Sequence, residues 1–220
     1  MTTTSEPVGL VIHSAFRYDL RLWLMSRGRE SRLRNEMVDL ASLQPGDAVL
    51  DVGCGTGTLA IAAARRVGPT GEVHGIDPSA EMIGRARRKA RRAGTAVSLE
   101  VATAQSLPHP DARFDAVLST FVLHQLPHDA LPVAFAEMRR VLRPGGRLLL
   151  VDIGGPQGDR QTVHVRRAAE HGVHLFDLDG VVPHLGSLGL RPLAAGDLEF
   201  RLSRFERVRY VLATTADTTG

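Results

Sequence analysis

The fold of this chain is decided by one short stretch, Val49-Leu50-Asp51-Val52-Gly53-Cys54-Gly55-Thr56-Gly57. It joins an apolar run, which suits a buried parallel strand, to residues 58–67, whose Ala, Leu and Ile content suits a helix. Glycines at such a junction let the backbone approach a ligand closely and adopt positive φ. The helix start that follows offers unpaired N–H groups and a partial positive charge. The stretch therefore predicts a ligand site at the end of a strand in an α/β sheet.

Strands and helices alternate on the C-terminal side of this glycine stretch. The predicted strands after the first one (48–52) are 72–76, 97–101, 114–118 and 147–151, and the predicted helices between them are 79–93 and 129–142. This alternation favours a parallel sheet with helices on both faces. A turn, Arg143-Pro144-Gly145-Gly146, is expected to lead the chain into the fifth strand.

The two ends of the chain follow a different pattern. Helices are predicted at 11–25 and 29–43, so residues 1–44 are interpreted as a helical cap on a single domain that spans 45–220. After Asp152 the sequence predicts a loop at 154–160, helices at 162–171 and 178–188, and strands at 192–200 and 205–213. No helix separates those last two strands, so they are expected to be antiparallel neighbours.

Composition narrows the possible classes of protein. The 220 residues are 43% hydrophobic and 23% charged, which is ordinary for a globular domain. No apolar run approaches the roughly 20 residues of a membrane helix, and residues 1–7 lack the layout of a signal peptide. We therefore expect a cytoplasmic protein without a membrane partner. The single cysteine, Cys54, excludes an internal disulfide and a cysteine-based metal cluster.

Basic residues are numerous, but their spacing argues against nucleic-acid binding. Lys89 is the one lysine among 27 basic residues, and the net charge is only +3. In the densest cluster, 85–92, apolar residues recur at helical spacing and leave the cations on the opposite face, as on a solvated helix. The fourth strand is followed by Ser119-Thr120-Phe121-Val122 rather than the N/D-P-P-Y/F tetrapeptide of nucleic-acid methylation. No nucleic-acid partner is expected.

Two aspartates at strand ends sharpen the prediction of a ligand. Asp51 precedes the first glycine of the loop, where a carboxylate can accept hydrogen bonds from an ammonium group but would repel a pyrophosphate. Asp77 ends the second strand, where an acid can accept both hydroxyls of a ribose. These positions favour a ligand that combines an amino-acid group with a nucleoside.

Together with the Leu142–Gly146 turn, these motifs resemble the class I S-adenosylmethionine-dependent methyltransferases over residues 49–152. The resemblance is closest to the group that includes ubiquinone/menaquinone-type C-methyltransferases and many small-molecule O- and N-methyltransferases. It implies a Rossmann-like, doubly wound, seven-stranded sheet whose last strand is antiparallel. It also implies S-adenosylmethionine as the cofactor, a small organic molecule as the methyl acceptor, and no bound metal.

The resemblance also assigns roles to individual residues. The methionine part of the cofactor would be held by Asp51, Gly53, Cys54, Gly55 and Gly57, the ribose by Asp77 and Pro78, and the adenine by Thr103, Ala104 and Gln105, with Ser119 and Thr120 at the end of the fourth strand. Thr103 stands where the family usually has an aspartate. The lost charge-assisted bond would cost on the order of 1 kcal/mol of cofactor binding.

Methyl transfer from a sulfonium is an in-line displacement, so the protein mainly aligns the reactants, and a base is needed only when the acceptor is protonated. His124, just beyond the fourth strand, is either such a base or a residue that lines the site. Tyr18 in the leading segment is either close to the transferred methyl group or an aromatic residue under the cap. Pro127 between His124 and His128 argues against a metal site.

Two other functions remain open on the sequence alone. A nicotinamide-dependent oxidoreductase uses a similar glycine loop, although Asp51 and the Pro-Gly-Gly turn count against it. A non-catalytic protein that binds S-adenosylmethionine is the other, and the substitution at Thr103 is what favours it.

Overall fold

The computed structural model describes residues 30–154, 178–201 and 207–216. The predicted helices 11–25 and 162–171, most of the predicted loop 154–160 and Tyr18 lie outside these residues. The described helices are α1 Glu30–Leu40, α2 Thr58–Val67, α3 Ala80–Ala93, α4 Leu131–Val141 and α5 Leu178–Ser187. The described strands are β1 Ala48–Val52, β2 Glu72–Asp77, β3 Ser98–Val101, β4 Phe114–Thr120, β5 Leu142–Gly154, β6 Leu190–Arg201 and β7 Arg207–Thr215.

The seven described strands form one sheet in the order β3-β2-β1-β4-β5-β7-β6. Strands β1 to β5 pair in parallel, whereas β7 is antiparallel to both of its neighbours, β5 and β6. The predicted Rossmann-like α/β fold with an antiparallel last strand is confirmed. The strand order reverses between β1 and β4, so the carboxyl ends of these two strands open a crevice of the kind that binds ligands in this fold class.

Both faces of the sheet are buried, which explains why every residue of β1 is buried and why all of them except Asp51 are apolar. On one face α4 and α5 pack against a cluster that includes Leu50 and Val52. On the other face α1 and α2 pack against a cluster that includes Val49 and Leu118. Because side chains of a strand alternate between the faces, Asp51 lies on the α1 and α2 side. The helix α1 is therefore part of the wall of any site at the end of β1.

Several predicted boundaries were wrong. The helix expected at 29–43 ends at Leu40, because Ser42 adopts a positive φ of 52° that no helix continues. The strand expected at 147–151 begins at Leu142, and the predicted turn lies inside it as an irregularity in the β4–β5 register. Thr215 holds this irregularity: its hydroxyl donates to Arg143 O (2.7 Å) and accepts from Gly146 N (3.0 Å).

Two further differences concern helices. The helix expected at 129–142 begins at Leu131, because the preceding residues form a turn closed by a bond from Ala130 N to Pro127 O (3.0 Å). The helix predicted at 178–188 is present as α5 with Pro183 inside it, and it ends one residue earlier, at Ser187. None of the described helices combines the length and the apolar character that are needed to cross a membrane.

Candidate cofactor site

The glycine stretch forms a tight elbow between β1 and α2. Gly53 N and Cys54 N both donate to Ile76 O, at 2.9 and 2.8 Å, so the elbow is tied to the end of β2. The elbow then closes on itself through a bond from Gly57 N to Cys54 O (2.9 Å). Gly53, Gly55 and Gly57 have φ of 74°, 53° and 78°, the left-handed region that glycine adopts without strain.

Two of these glycines also lack room for a side chain. A Cβ on Gly53 would lie 2.2 Å from Val122 Cγ2, in the segment after β4. A Cβ on Gly57 would lie 2.9 Å from Ala86 Cβ, on α3. The elbow is therefore held between two neighbouring elements, and the glycines are required both by conformation and by close packing.

Asp51 is the most unusual residue of the crevice. Its side chain is buried, with 1% exposure, and neither carboxylate oxygen has a hydrogen-bond partner among the described residues. Burial raises its pKa to about 7 and the nearby Asp77 raises it further, whereas the charge of Arg34 and the backbone N–H of Ala60 lower it. That N–H acts on the carboxylate without meeting the geometry of a hydrogen bond. A buried acceptor without a donor is rare in a native protein. The carboxylate is thus available to a donor that the described residues do not supply.

Arg34 reaches this crevice from α1, and the sequence analysis missed it. It is 6% exposed, and Nη1 lies 3.5 Å from Thr120 Oγ1 and 3.7 Å from Met37 Sδ. Its guanidinium carbon lies 5.9 Å from the ring centroid of Phe121. A signal was present in the sequence, because Arg34 occupies the same helix face as the apolar Met37 and Val38. A cation within an apolar stripe indicates a buried charge with a specific role.

Asp77 lies at the end of β2 and is partly buried. Its Oδ2 accepts from Gly55 N at 3.0 Å and its Oδ1 accepts from Ser79 N at 2.9 Å. Burial raises its pKa, and these two N–H groups act in the opposite direction. Each carboxylate oxygen can accept a second hydrogen bond, so the side chain is oriented by the backbone and still open to a ligand. Pro78, which follows, is exposed.

The segment after β3 lies beside Asp77. Ala102 N donates to Asp77 O (3.3 Å), and a turn closed by Ser106 N and Thr103 O (3.2 Å) presents Thr103, Ala104 and Gln105. Ala104 is buried, whereas Thr103 and Gln105 are partly exposed. The turn is anchored from α4, where Glu137 Oε2 accepts from Leu107 N (2.8 Å). The predicted adenine-binding residues are thus next to the predicted ribose-binding residue.

The two predicted residues at the end of β4 behave differently. Thr120 lines the crevice together with Asp51, Gly53, Cys54 and Thr56. Ser119 is completely buried, and alternation along the strand directs it to the opposite face. It is not among the residues that line the crevice, and its hydroxyl has no partner among the described residues. Cys54 is also buried, and burial raises the pKa of its thiol, so it is not a nucleophile.

His124 lies in a 3₁₀ turn, Leu123–Gln125, directly after β4. Its Nδ1 is 2.6 Å from Asp152 Oδ1, and its backbone N donates to Asp152 Oδ2 at 3.1 Å. Asp152, at 0% exposure, also accepts from the backbone N of Ile153 (2.7 Å). Sequence analysis proposed His124 without this partner. The described residues contain no group of three or more His, Cys, Asp or Glu side chains arranged to hold a metal ion.

Phe121 directs the chain from β4 into this turn. It has a positive φ of 59°, which is uncommon for a residue other than glycine. Its N donates to Val151 O (2.8 Å), and its O accepts from Gln125 Nε2 (2.7 Å). Strained residues of this kind cluster at functional sites, where surrounding bonds maintain the conformation. Here the bend brings Val122 to Gly53 and His124 to Asp152.

The chain shows similarity to known proteins in sequence. Residues 49–146 match a family described as a methyltransferase domain. The ubiquinone/menaquinone biosynthesis C-methyltransferase UbiE of Bordetella avium is 42% identical over 149 residues, which are 67% of this chain and 57% of that protein. A demethylmenaquinone methyltransferase of Symbiobacterium thermophilum is 35% identical over 64% of this chain and 57% of its own length. The chain thus spans less than two thirds of these curated relatives.

Solved structures share the fold at low sequence identity. A geranyl diphosphate methyltransferase in complex with S-adenosylmethionine has a TM-score of 0.74 at 21% identity, covering 95% of this chain and 97% of its own. The magnesium protoporphyrin IX methyltransferase of Synechocystis, with bound S-adenosylhomocysteine, has a TM-score of 0.74 at 19% identity, covering 93% and 95%. The cyclase SpnF has a TM-score of 0.71 at 23% identity, covering 85% and 81%. Because one fold includes a cyclase, activity has to be argued from the site.

Proposed function

The chain carries a class I S-adenosylmethionine-dependent methyltransferase domain, and from this premise we propose that the protein transfers a methyl group from S-adenosylmethionine to a small organic acceptor. One observation carries the proposal: Asp51 is a buried carboxylate to which no described residue donates a hydrogen bond, at the end of the strand that leads into the glycine elbow. An ammonium group would supply the missing donors and a positive charge. The cofactor has such a group in its methionine part.

Arg34 adds the complementary half of this recognition. An amino acid carries a carboxylate beside its ammonium group, and Arg34 lines the same crevice as Asp51. In our proposal the guanidinium binds that carboxylate while Asp51 binds the ammonium group. The pairing also supports a role for residues 1–44 as a cap over the crevice, since α1 within that segment provides Arg34.

Asp77 and the turn after β3 would bind the nucleoside. Gly55 N and Ser79 N orient the carboxylate of Asp77, which leaves acceptor capacity for two ribose hydroxyls. Thr103, Ala104 and Gln105 lie beside it and would contact the adenine, with Pro78 at the rim. Thr103 has a hydroxyl where the motif usually has an aspartate, so the contact of this side chain with the adenine would be a neutral one.

The chemistry places modest demands on the protein. When bound, S-adenosylmethionine supplies a methyl group that is already activated by its positively charged sulfur. The residues of the chain then have to hold the acceptor in line and exclude water, which accounts for most of the rate enhancement in such displacements. The named activities of the sequence relatives, C-methylation in quinone biosynthesis among them, support a small-molecule acceptor.

The experiment is a calorimetric titration of the full chain with S-adenosylhomocysteine and, separately, with NADH. We expect binding of S-adenosylhomocysteine and none of NADH. The Asp77→Ala variant should lose at least tenfold in affinity, about 1.4 kcal/mol, with an unchanged circular dichroism spectrum. Asp129→Ala, which alters an exposed aspartate before α4, is the matched control and should bind normally. Tighter binding of NADH, or unaltered affinity in Asp77→Ala, contradicts the proposal.

A further inference from the structure

Lys89 differs from the other cations of the chain. It is the one lysine among 27 basic residues, and it lies on α3, where its neighbours Arg88 and Arg92 are exposed. Lys89 itself is only partly exposed, and its Nζ donates to Thr58 Oγ1 at 2.6 Å and to Thr56 Oγ1 at 3.2 Å. This cation is therefore held at a defined place, whereas the two arginines face the solvent.

Both hydroxyls belong to the crevice at the end of β1. Thr56 and Thr58 line it together with Asp51 and Arg34. Thr56 is buried, and Thr58 is the first residue of α2 and half-buried. In the described part of the chain Lys89 lies behind this lining rather than in it. Its charge therefore acts on the crevice through the two threonine side chains.

The ammonium group of Lys89 determines how the Thr58 hydroxyl is oriented. An ammonium group only donates hydrogen bonds, whereas a hydroxyl has one proton and two lone pairs. Because Thr58 Oγ1 accepts from Nζ, the proton of this hydroxyl is directed away from Lys89 and can be donated to another group. A hydroxyl that accepts from a cation is also a stronger donor, since hydrogen bonds in a chain polarise one another.

The lining of the crevice is divided by charge. Asp51, a buried acid, attracts an ammonium group. At Thr58, the N-terminus of α2 adds its partial positive charge to that of the Lys89 ammonium group. A zwitterionic amino acid fits such a site in one direction, with its ammonium group at Asp51 and its carboxylate toward Thr58 and Arg34.

We infer that Lys89 is a positioning residue for the cofactor: it directs the Thr58 hydroxyl to donate to the carboxylate of the amino-acid part of S-adenosylmethionine. This role rests on the proposed function and adds to it a helix, α3, that does not itself contact the ligand. Arg34 reaches the carboxylate from α1 and Thr58 reaches it from α2. Each carboxylate oxygen accepts more than one hydrogen bond, so both donors can bind at once.

A lysine suits this place better than an arginine. An ammonium group is a compact charge with three donors on one nitrogen, so it can donate to both threonine hydroxyls. A guanidinium group is larger and planar, and its donors form a fixed fork that matches a carboxylate or a phosphate rather than two separate hydroxyls. The contacts with Thr56 and Thr58 thus account for a lysine in a chain that otherwise uses arginine.

The alternative is that Lys89 only fastens α3 to the glycine elbow. Loss of such a tie would lower the free energy of unfolding, and it would weaken the binding of every ligand of the crevice alike. A positioning role is selective, because only a ligand that carries a carboxylate accepts from the Thr58 hydroxyl. The carboxylate of the ligand therefore separates the two roles.

The first test is calorimetric titration of the full chain with S-adenosylhomocysteine and with its decarboxylated analogue, S-adenosyl-3-thiopropylamine, which keeps the ammonium group and the nucleoside. In Lys89→Met the affinity for S-adenosylhomocysteine should fall about tenfold, while the affinity for the analogue stays within about twofold of wild type. Arg88→Met, at an exposed position of the same helix, is the matched control and should leave both affinities unaltered. Equal losses for the two ligands, or no loss in Lys89→Met, would overturn the inference.

The second test asks whether Lys89 acts through Thr58, and it also serves if Lys89→Met does not fold. Thr58→Val removes the hydroxyl and keeps the branched shape, so it should lower the affinity for S-adenosylhomocysteine about tenfold as well. The double variant should bind no more than about threefold more weakly than either single variant, because both changes remove the same hydrogen bond. Additive losses, or wild-type affinity in Thr58→Val, refute the role of Lys89.

Wild type supplies the remaining comparison. It should bind S-adenosylhomocysteine more tightly than the analogue, since the analogue lacks the carboxylate, and equal affinities would again refute the role of Lys89. A wild-type protein that binds neither ligand contradicts the proposed function itself. Urea denaturation of each variant shows whether the fold is retained.

Discussion

Two buried aspartates lie at the same edge of the sheet and differ in every other respect. Asp51, at the end of β1, has no donor among the described residues, whereas Asp152, in β5, accepts from His124 N, His124 Nδ1 and Ile153 N. They project from opposite faces of the sheet, one toward α1 and α2 and the other toward α4 and α5. Burial is nearly equal, so burial does not identify the ligand site. The two aspartates are distinguished by their hydrogen bonds, because Asp51 combines unmade bonds with a place in the lining of the crevice.

The largest expected effect concerns Asp152, the aspartate that has hydrogen-bond donors. Asp152→Ala should destabilise the fold by about 3–5 kcal/mol, because three partly buried donors lose their acceptor at once. Urea denaturation gives the free energy of unfolding, and Asp129→Ala, at an exposed position, should remain within about 0.5 kcal/mol of wild type. A loss below about 1 kcal/mol for Asp152→Ala would remove the contrast between the two aspartates.

The aspartate without partners should show the opposite behaviour. Asp51→Asn should weaken S-adenosylhomocysteine binding about a hundredfold, or about 2.7 kcal/mol, because a neutral amide cannot balance an ammonium charge. It should also stabilise the empty protein at alkaline pH. The folded pKa of Asp51, about 7, lies above its ordinary value of 3.8, so the stabilising form is the protonated one. That contribution is complete below about pH 4 and is lost as pH rises through about 7.

The measurement for Asp51 compares urea denaturation of wild type and Asp51→Asn at about pH 5 and about pH 8. A pKa shift is worth about 1.4 kcal/mol per unit. Between these two pH values the free energy of unfolding of wild type should therefore fall by up to about 3 kcal/mol more than that of the variant. Equal pH dependence in the two proteins would show that other groups in the folded protein already offset the cost of burying the ionised carboxylate of Asp51. Calorimetric titration measures the affinity, and unaltered binding in Asp51→Asn would contradict its assignment to the ammonium group.

The smallest expected effect tests whether Arg34 binds the ligand beside Asp51. Arg34→Gln should weaken S-adenosylhomocysteine binding about tenfold, about 1.4 kcal/mol, through the lost contact with the ligand carboxylate. It should also raise the pKa of Asp51 above its present value, since the Arg34 charge now lowers that pKa. The free energy of unfolding should therefore fall more steeply between about pH 5 and about pH 8 in this variant than in wild type. Arg32→Gln, an exposed site on the same helix, is the control. Equal affinities in the two variants would exclude Arg34 from the site.

The contrast also shows what could be read from the sequence. The positions of the glycine elbow, Asp51 and Asp77 at strand ends were predicted from the sequence, because each is encoded locally in a strand end and the residues beside it. Arg34 and the His124–Asp152 pair were not, because they depend on contacts between residues far apart: Arg34 meets Thr120 86 positions away, and His124 meets Asp152 28 positions away. The role of Tyr18 stays a prediction, since it lies outside the described residues.

Errors in the element boundaries have a related cause. The Pro-Gly-Gly segment before β5 has the composition of a turn, yet Thr215 on β7 binds Arg143 O and Gly146 N and incorporates the segment into the strand. Local composition predicted a turn ahead of the strand, whereas the segment lies inside it. It did not predict the partner from the far end of the chain that makes the irregularity part of the sheet.

The contact between Gly53 and Val122 has a consequence for redesign. The place where a side chain would grow from position 53 is already filled by Val122, which belongs to the same turn as His124. A bulkier residue at 122 would press on the backbone of the glycine elbow, to which we assign the methyl donor. Under that proposal a change at position 122 alters donor affinity as well, so variants selected for a new acceptor should be screened for donor binding in the same round.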